Sequence, residues 1–255
     1  MIRVVVVTLV AGVLTAAWTP PASAQTNRES REQAAAINAE LALAYMREGN
    51  LAAARDKIEK ALEQNSRTAK TQMAAGFIYD RLHDERKAKG HFEQAVRLGK
   101  GDPDILNNAA VYLCRAGEYK RGEQYLLEAA ASPLSRTPAA SYVNAGRCAR
   151  SDGRTKDAEQ HFRKALALSP KQPDALLQMA EVAQTNGNGL QARAFLERYG
   201  AVAPATPSTL WLGRTIELAL GDAAQAQRYA QRLKDEFPMS PEAGRLFDEE
   251  HQARP

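Results

Sequence analysis

The sequence predicts an all-α fold, a right-handed superhelix (α-solenoid) of six stacked helix pairs. Three observations predict it. Small residues recur at about thirty-four-residue spacing, first at Ala42, Gly76, Ala110, Gly146 and Ala180. Two further small series run Ala54, Ala88, Gly122, Ala158, Ala192, Ala226 and Ala61, Ala95, Ala129, Ala165, with a bulky Ile58, Phe92, Leu126, Phe162 or Leu196 between them. Turn glycines fall at Gly49, Gly117, Gly153, Gly187 and Gly221, with His83 in that place in the second unit. Small residues let two helices cross closely, a large one fills the space beside the crossing, and a glycine lets the chain reverse.

Units starting near Ala35, Ala69, Pro103, Ala139, Pro173 and Pro207 are separated by 34, 34, 36, 34 and 34 residues. The two extra residues of the long step fall in the Pro- and Ser-rich stretch 132–138, which suits a connection rather than a helix interior. This is the tetratricopeptide-type pattern: six helix pairs over 35–68, 69–102, 103–138, 139–172, 173–206 and 207–240. One pair cannot bury its apolar face alone, so the array is the folding unit. Residues 25–34 are polar and read as a flexible segment, with the first helix starting near Gln33 and carrying its face on Ile37, Leu41, Ala44 and Tyr45. Residues 241–255 read as a C-terminal tail.

Residues 1–24 read as a cleaved signal peptide. Arg3 is a short positive head, residues 4–17 are an apolar run too short for a comfortable membrane span, and Ala22-Ser23-Ala24 is a small-residue cleavage site. A mature chain starting at Gln25 is expected. Loss of Arg3 takes the formal charge from +4 to +3, mild for this length and without a basic run, so no nucleic-acid role is implied.

Chemistry-bearing constellations are missing from the sequence. There is no G-x-S-x-G, phosphate loop or HExxH, and the four histidines do not pair with cysteine at ligand spacing. No catalytic residue, metal or cofactor is expected. His91 and His161 share one repeat position, which argues for a structural role. Cys114 and Cys148 sit on the first helices of neighbouring units, two places out of register, within reach of a disulfide in an oxidising compartment; two buried thiols are the other reading.

Binding is the better reading. First helices of such arrays line the concave surface. The groove is expected at Leu43, Met46, Met73, Phe77, Asn107, Val111, Arg115 and Arg147: apolar and methionine-rich in front, with asparagine for hydrogen bonding and charge beyond. In the last unit Arg214 stands where a small residue is expected, Glu217 where an aromatic often lies, and Trp211 is adjacent, which reads as a capping unit.

The stretches LNNAAVYLCRAGEYKRGEQYLLEAAASPL (106–134), NAGRCARSDGRTKDAEQHFRKAL (144–166), LWLGRTIELALGD (210–222) and RLKDEFPMSPEA (232–243) carry a further resemblance. They resemble the type IV pilus biogenesis/stability proteins, the PilF/PilW family, over nearly all of 35–245. That resemblance implies a non-enzymatic, pilotin-like role: binding the secretin subunit of the type IV pilus and helping it multimerise, on the periplasmic side of the outer membrane. It also implies a disulfide between Cys114 and Cys148, at the family's cysteine positions. Residues 21–25, Pro-Ala-Ser-Ala-Gln, lack the family's lipobox cysteine. A monomer in the periplasm, peripheral to the outer membrane and touching it only indirectly, is therefore expected. The second reading is a periplasmic tetratricopeptide scaffold for another envelope assembly.

Overall fold

The computed structural model describes residues 22–252, and the described residues form thirteen helices with no strand. Six pairs follow one another: α1 (Ala22–Arg47) with α2 (Leu51–Gln64), α3 (Ala69–Arg81) with α4 (Glu85–Gly99), and α5 (Pro103–Arg115) with α6 (Tyr119–Ala131). Then come α7 (Pro138–Ser151) with α8 (Thr155–Leu168), α9 (Pro173–Thr185) with α10 (Gly189–Gly200), and α11 (Pro207–Ala219) with α12 (Ala223–Glu236). The last helix is α13 (Pro241–Gln252).

Local chemistry sets these bounds. Proline occupies the first turn of α5, α7, α9 and α11, where its missing N–H costs nothing. Asn50, Thr68, Asp84, Asp102 and Asp222 cap the helices that follow, each side chain accepting a backbone N–H from the first turn. The reversal inside each pair needs one left-handed residue. It is glycine in five pairs, with φ from +75° to +83°, and His83 at +59° in the second.

The crossings explain the small-residue series. A Cβ at Gly76 would stand 3.0 Å from three carbons of the Phe92 ring, and a Cβ at Gly146 would overlap the ring of Phe162. Ile58, Phe92, Leu126 and Phe162 are buried, and the surrounding alanines are inaccessible to solvent. First helices of neighbouring pairs approach one another closely, α1 with α3, α3 with α5, α5 with α7 and α9 with α11. Second helices pack instead on the following first helix, so the first helices form the inner wall of the solenoid.

Three expectations are corrected: the flexible segment 25–34, the C-terminal tail and the sixth unit as the cap. The signal-peptide reading lies outside the described residues except at its end, where α1 already begins at Ala22. The segment 25–34 is helical rather than flexible, and the first helix starts eleven residues before Gln33. Nothing in Gln25–Gln33 breaks a helix, and an Arg28–Glu32 pair at 3.0 Å supports it one turn apart. Residues 241–252 form α13 rather than a tail, burying Ala243 and Leu246 against Leu210, Ala230 and Leu233. The cap of the array is therefore α13. In the sixth unit Arg214 does not stand at the crossing. Gly213 does, receiving Tyr229, whose ring carbons would lie 2.6–2.9 Å from a Cβ there. Arg214 instead stacks over Trp211 at 5.2 Å and pairs with Glu249 of α13 at 2.6 Å.

Candidate functional site

The inner wall is built from one stripe of each first helix. In the first three units its ninth places hold Leu43, Phe77 and Val111. Leu43 and Phe77 are half-buried against the core, while Val111 is 43% exposed. Met46 flanks Leu43 and is half-buried. Phe77 is fixed edge-on against Phe92, ring centroids 5.3 Å apart, so one side of its ring is committed to the core. Met73 is the correction here. It is only 6% exposed and belongs to the core cluster of the first three units. Its place faces the neighbouring first helix, as do the buried Ala39 and Val143 at the same place in other units.

The polar members of the expected groove are tied to one another. Asn107 accepts from Asn144 at 3.1 Å and from Ser141 at 3.3 Å, joining α5 to α7. Arg115 of α5 pairs with Asp80 of α3, and Arg147 of α7 with Asp174 of α9 at 2.9 Å. Arg150 pairs with Glu181 across the same interval, and Arg136 reaches Asp104 at 3.3 Å. Arg115 and Arg147 thus bridge neighbouring first helices rather than standing free. The interhelix pairing was missed from the sequence. Its signal is complementary charge on inner-wall places of successive units, 27 to 35 residues apart.

Cys114 and Cys148 join α5 to α7 with Cα atoms 5.4 Å apart, in the geometry of a disulfide. The sulfur of Cys114 lies against Gly122, whose hydrogen leaves the room a Cβ would take. Every other unit carries alanine at this place, so the glycine belongs with the cysteine.

A tetratricopeptide-repeat family model matches residues 149–212 and a second matches 208–240. The type IV pilus assembly protein PilF of Pseudomonas aeruginosa is 24% identical over 214 residues, covering 84% of this chain and 85% of that protein. The chain carries tetratricopeptide repeats and is similar to PilF along most of its length. The crystal structure of PilW, a type IV pilus biogenesis factor, superposes with a TM-score of 0.75 at 29% identity, covering 84% of this chain and 99% of that one. The crystal structure of Pseudomonas aeruginosa PilF gives 0.71 at 24% identity, covering 86% and 99%. Both similarities run along the whole array, and with them the all-helical solenoid is established.

The outer layers hold charge that is buried or half-buried. Glu123 of α6 accepts from Arg154 at 2.6 Å and contacts His161 Nε2 at 2.7 Å. Burial alone would raise its pKa; the hydrogen bonds from Arg154 and His161 outweigh that and hold it below the usual 4.5. His91 shares His161's repeat place but bonds Gln72 Oε1 at 2.7 Å and stacks on Tyr79. Burial, with Lys87 nearby, lowers its pKa below 6.5. Both histidines are interhelix braces. Glu217, 2% exposed on α11, is braced by Arg193 of α10. Among the described residues, no three His, Cys, Asp or Glu side chains gather in a metal-binding group, and no helix is long and apolar enough to cross a membrane.

Proposed function

We propose that this chain is a non-enzymatic scaffold of type IV pilus biogenesis. In this reading it binds the secretin subunit on the inner wall of its first three units and promotes assembly or stability of the secretin ring. The observation that carries the reading is the apolar row Leu43–Phe77–Val111 on the open wall of a PilF homologue. Partly exposed apolar side chains aligned along a preformed groove mark a partner site. The wall is held by the Asp80–Arg115 and Asn107–Asn144 bridges, so little ordering entropy is lost on its side when a segment docks. Covering an apolar segment of a secretin monomer suppresses aggregation and favours ordered multimers; nothing turns over. The site of action is the periplasm, where an oxidising environment favours the Cys114–Cys148 bond.

The test is a deletion strain. Loss of secretin multimers with monomers retained is the expected result. Normal multimers and normal pili would refute the assignment. A chain carrying Val111→Arg is expected to fold, because Val111 is exposed, and to fail to restore multimers.

A further inference from the structure

The inner wall carries a charge asymmetry that names the chemistry of its occupant. The second, ninth, twelfth and thirteenth places of each repeat unit, counted from Ala35, Ala69, Pro103, Ala139, Pro173 and Pro207, form this wall. Every carboxylate on those places, Asp80, Asp104, Asp174 and Glu181, is neutralised by one of the arginines described above. Three cations on the same places have no hydrogen-bond or ion-pair partner among the described residues: Arg47, Lys70 and Arg81. All three lie in the first two units. Arg47 and Arg81 occupy the same thirteenth place, one turn beyond Leu43 and Phe77. The spare charge is thus of one sign and borders the apolar row. Glu40 lies outside this stripe, at the place from which Asn144 in the fourth unit reaches a preceding first helix.

We infer that the occupant of this groove is a protein segment in which apolar side chains alternate with Asp or Glu side chains. The apolar side chains cover Leu43, Phe77 and Val111, and the carboxylates meet Arg47, Lys70 and Arg81. Resting as it does on the scaffold reading, the inference adds that the partner segment is acidic and that its recognition is salt-sensitive. An unpaired cation at the margin of an apolar groove selects an anionic ligand and repels a basic one. Arginine suits the task because its planar fork takes a carboxylate with two parallel hydrogen bonds.

Fluorescence anisotropy of labelled peptides on the purified chain tests this. The probes are an alternating Leu–Glu peptide and its Leu–Gln counterpart, both amidated, and a Leu–Gln peptide with a free terminal carboxylate. The Leu–Glu peptide is expected to bind about tenfold more tightly than amidated Leu–Gln near 50 mM salt, an advantage that shrinks at about 500 mM. The double variant Arg47→Gln/Arg81→Gln is expected to abolish the advantage and Arg147→Gln to keep it. Equal binding of both amidated peptides, an equal loss from Arg147→Gln, or full recovery by the free terminal carboxylate alone would overturn the inference. Secretin capture separates it from the scaffold reading. Capture undiminished by Arg47→Gln/Arg81→Gln overturns the inference and leaves the secretin assignment. Glutamate-dependent peptide binding without any secretin capture overturns the secretin assignment and leaves the inference.

Discussion

His83 takes a left-handed turn conformation that every other unit gives to glycine. A side chain there costs about 1–2 kcal/mol, and glycine returns part of that gain through its looser unfolded chain. His83→Gly is expected to stabilise the fold by about 0.5–1 kcal/mol, read as a raised midpoint of urea unfolding. Gly122 is the opposite case. Its missing Cβ is filled by the Cys114 sulfur, with the Ala110 carbonyl oxygen 3.0 Å from where the Cβ would stand. Gly122→Ala is expected to cost about 1–3 kcal/mol and to leave free thiol under conditions that oxidise the parent chain. Glu123 gives a pH signature. Its folded pKa is depressed, so its contribution is present above about pH 4.5 and is lost as pH falls through the folded value. Glu123→Gln should therefore lower Tm clearly at pH 7, by about 1–3 kcal/mol in stability, with the gap to the parent chain closing toward pH 3. Legibility at single residues was uneven. The turn residues stand out because only a left-handed place demands glycine, whereas Met73 reads as groove because side-chain type alone cannot separate the wall from the seam between first helices.

Among the elements, the paired helices were plain in the sequence because small-large-small spacing is a direct record of a helix crossing. The two ends were not. An interior helix is bounded by neighbours that repeat, whereas a terminal helix packs against one side only and drops half the pattern. α13 keeps only Ala243 and Leu246 on its buried side, and the polar first turns of α1 have no face to record. Leu246→Ala is expected to cost about 2 kcal/mol, the lower end of the usual range because the last layer can settle onto α11 and α12. Circular dichroism melting should show the loss, and an unchanged Tm would mean that α13 does not cap the array. The cross-helix ion pairs escaped notice because each partner alone resembles solvated surface, and only the repeat register brings them opposite.

As a whole molecule the array has nearest-neighbour stability, so a staple between two units counts for both sides. The Cys114–Cys148 link closes a loop of 34 residues, and the loop-entropy model assigns it about 3–4 kcal/mol. Reduction is expected to lower the unfolding free energy by about that amount, read as a lowered unfolding midpoint. The solenoid leaves one long inner wall whose front is apolar and whose middle is crossed by Arg147–Asp174 and Arg150–Glu181 bridges. In the proposed reading, that division confines the site to the first three units. Affinity capture from solubilised envelope, with bound proteins identified by mass, compares the parent chain with one carrying Leu43→Arg and Val111→Arg. Secretin recovered by the parent and lost by the variant, with both chains equally folded, is the result predicted here. Secretin recovered equally by both, or by neither, would contradict it.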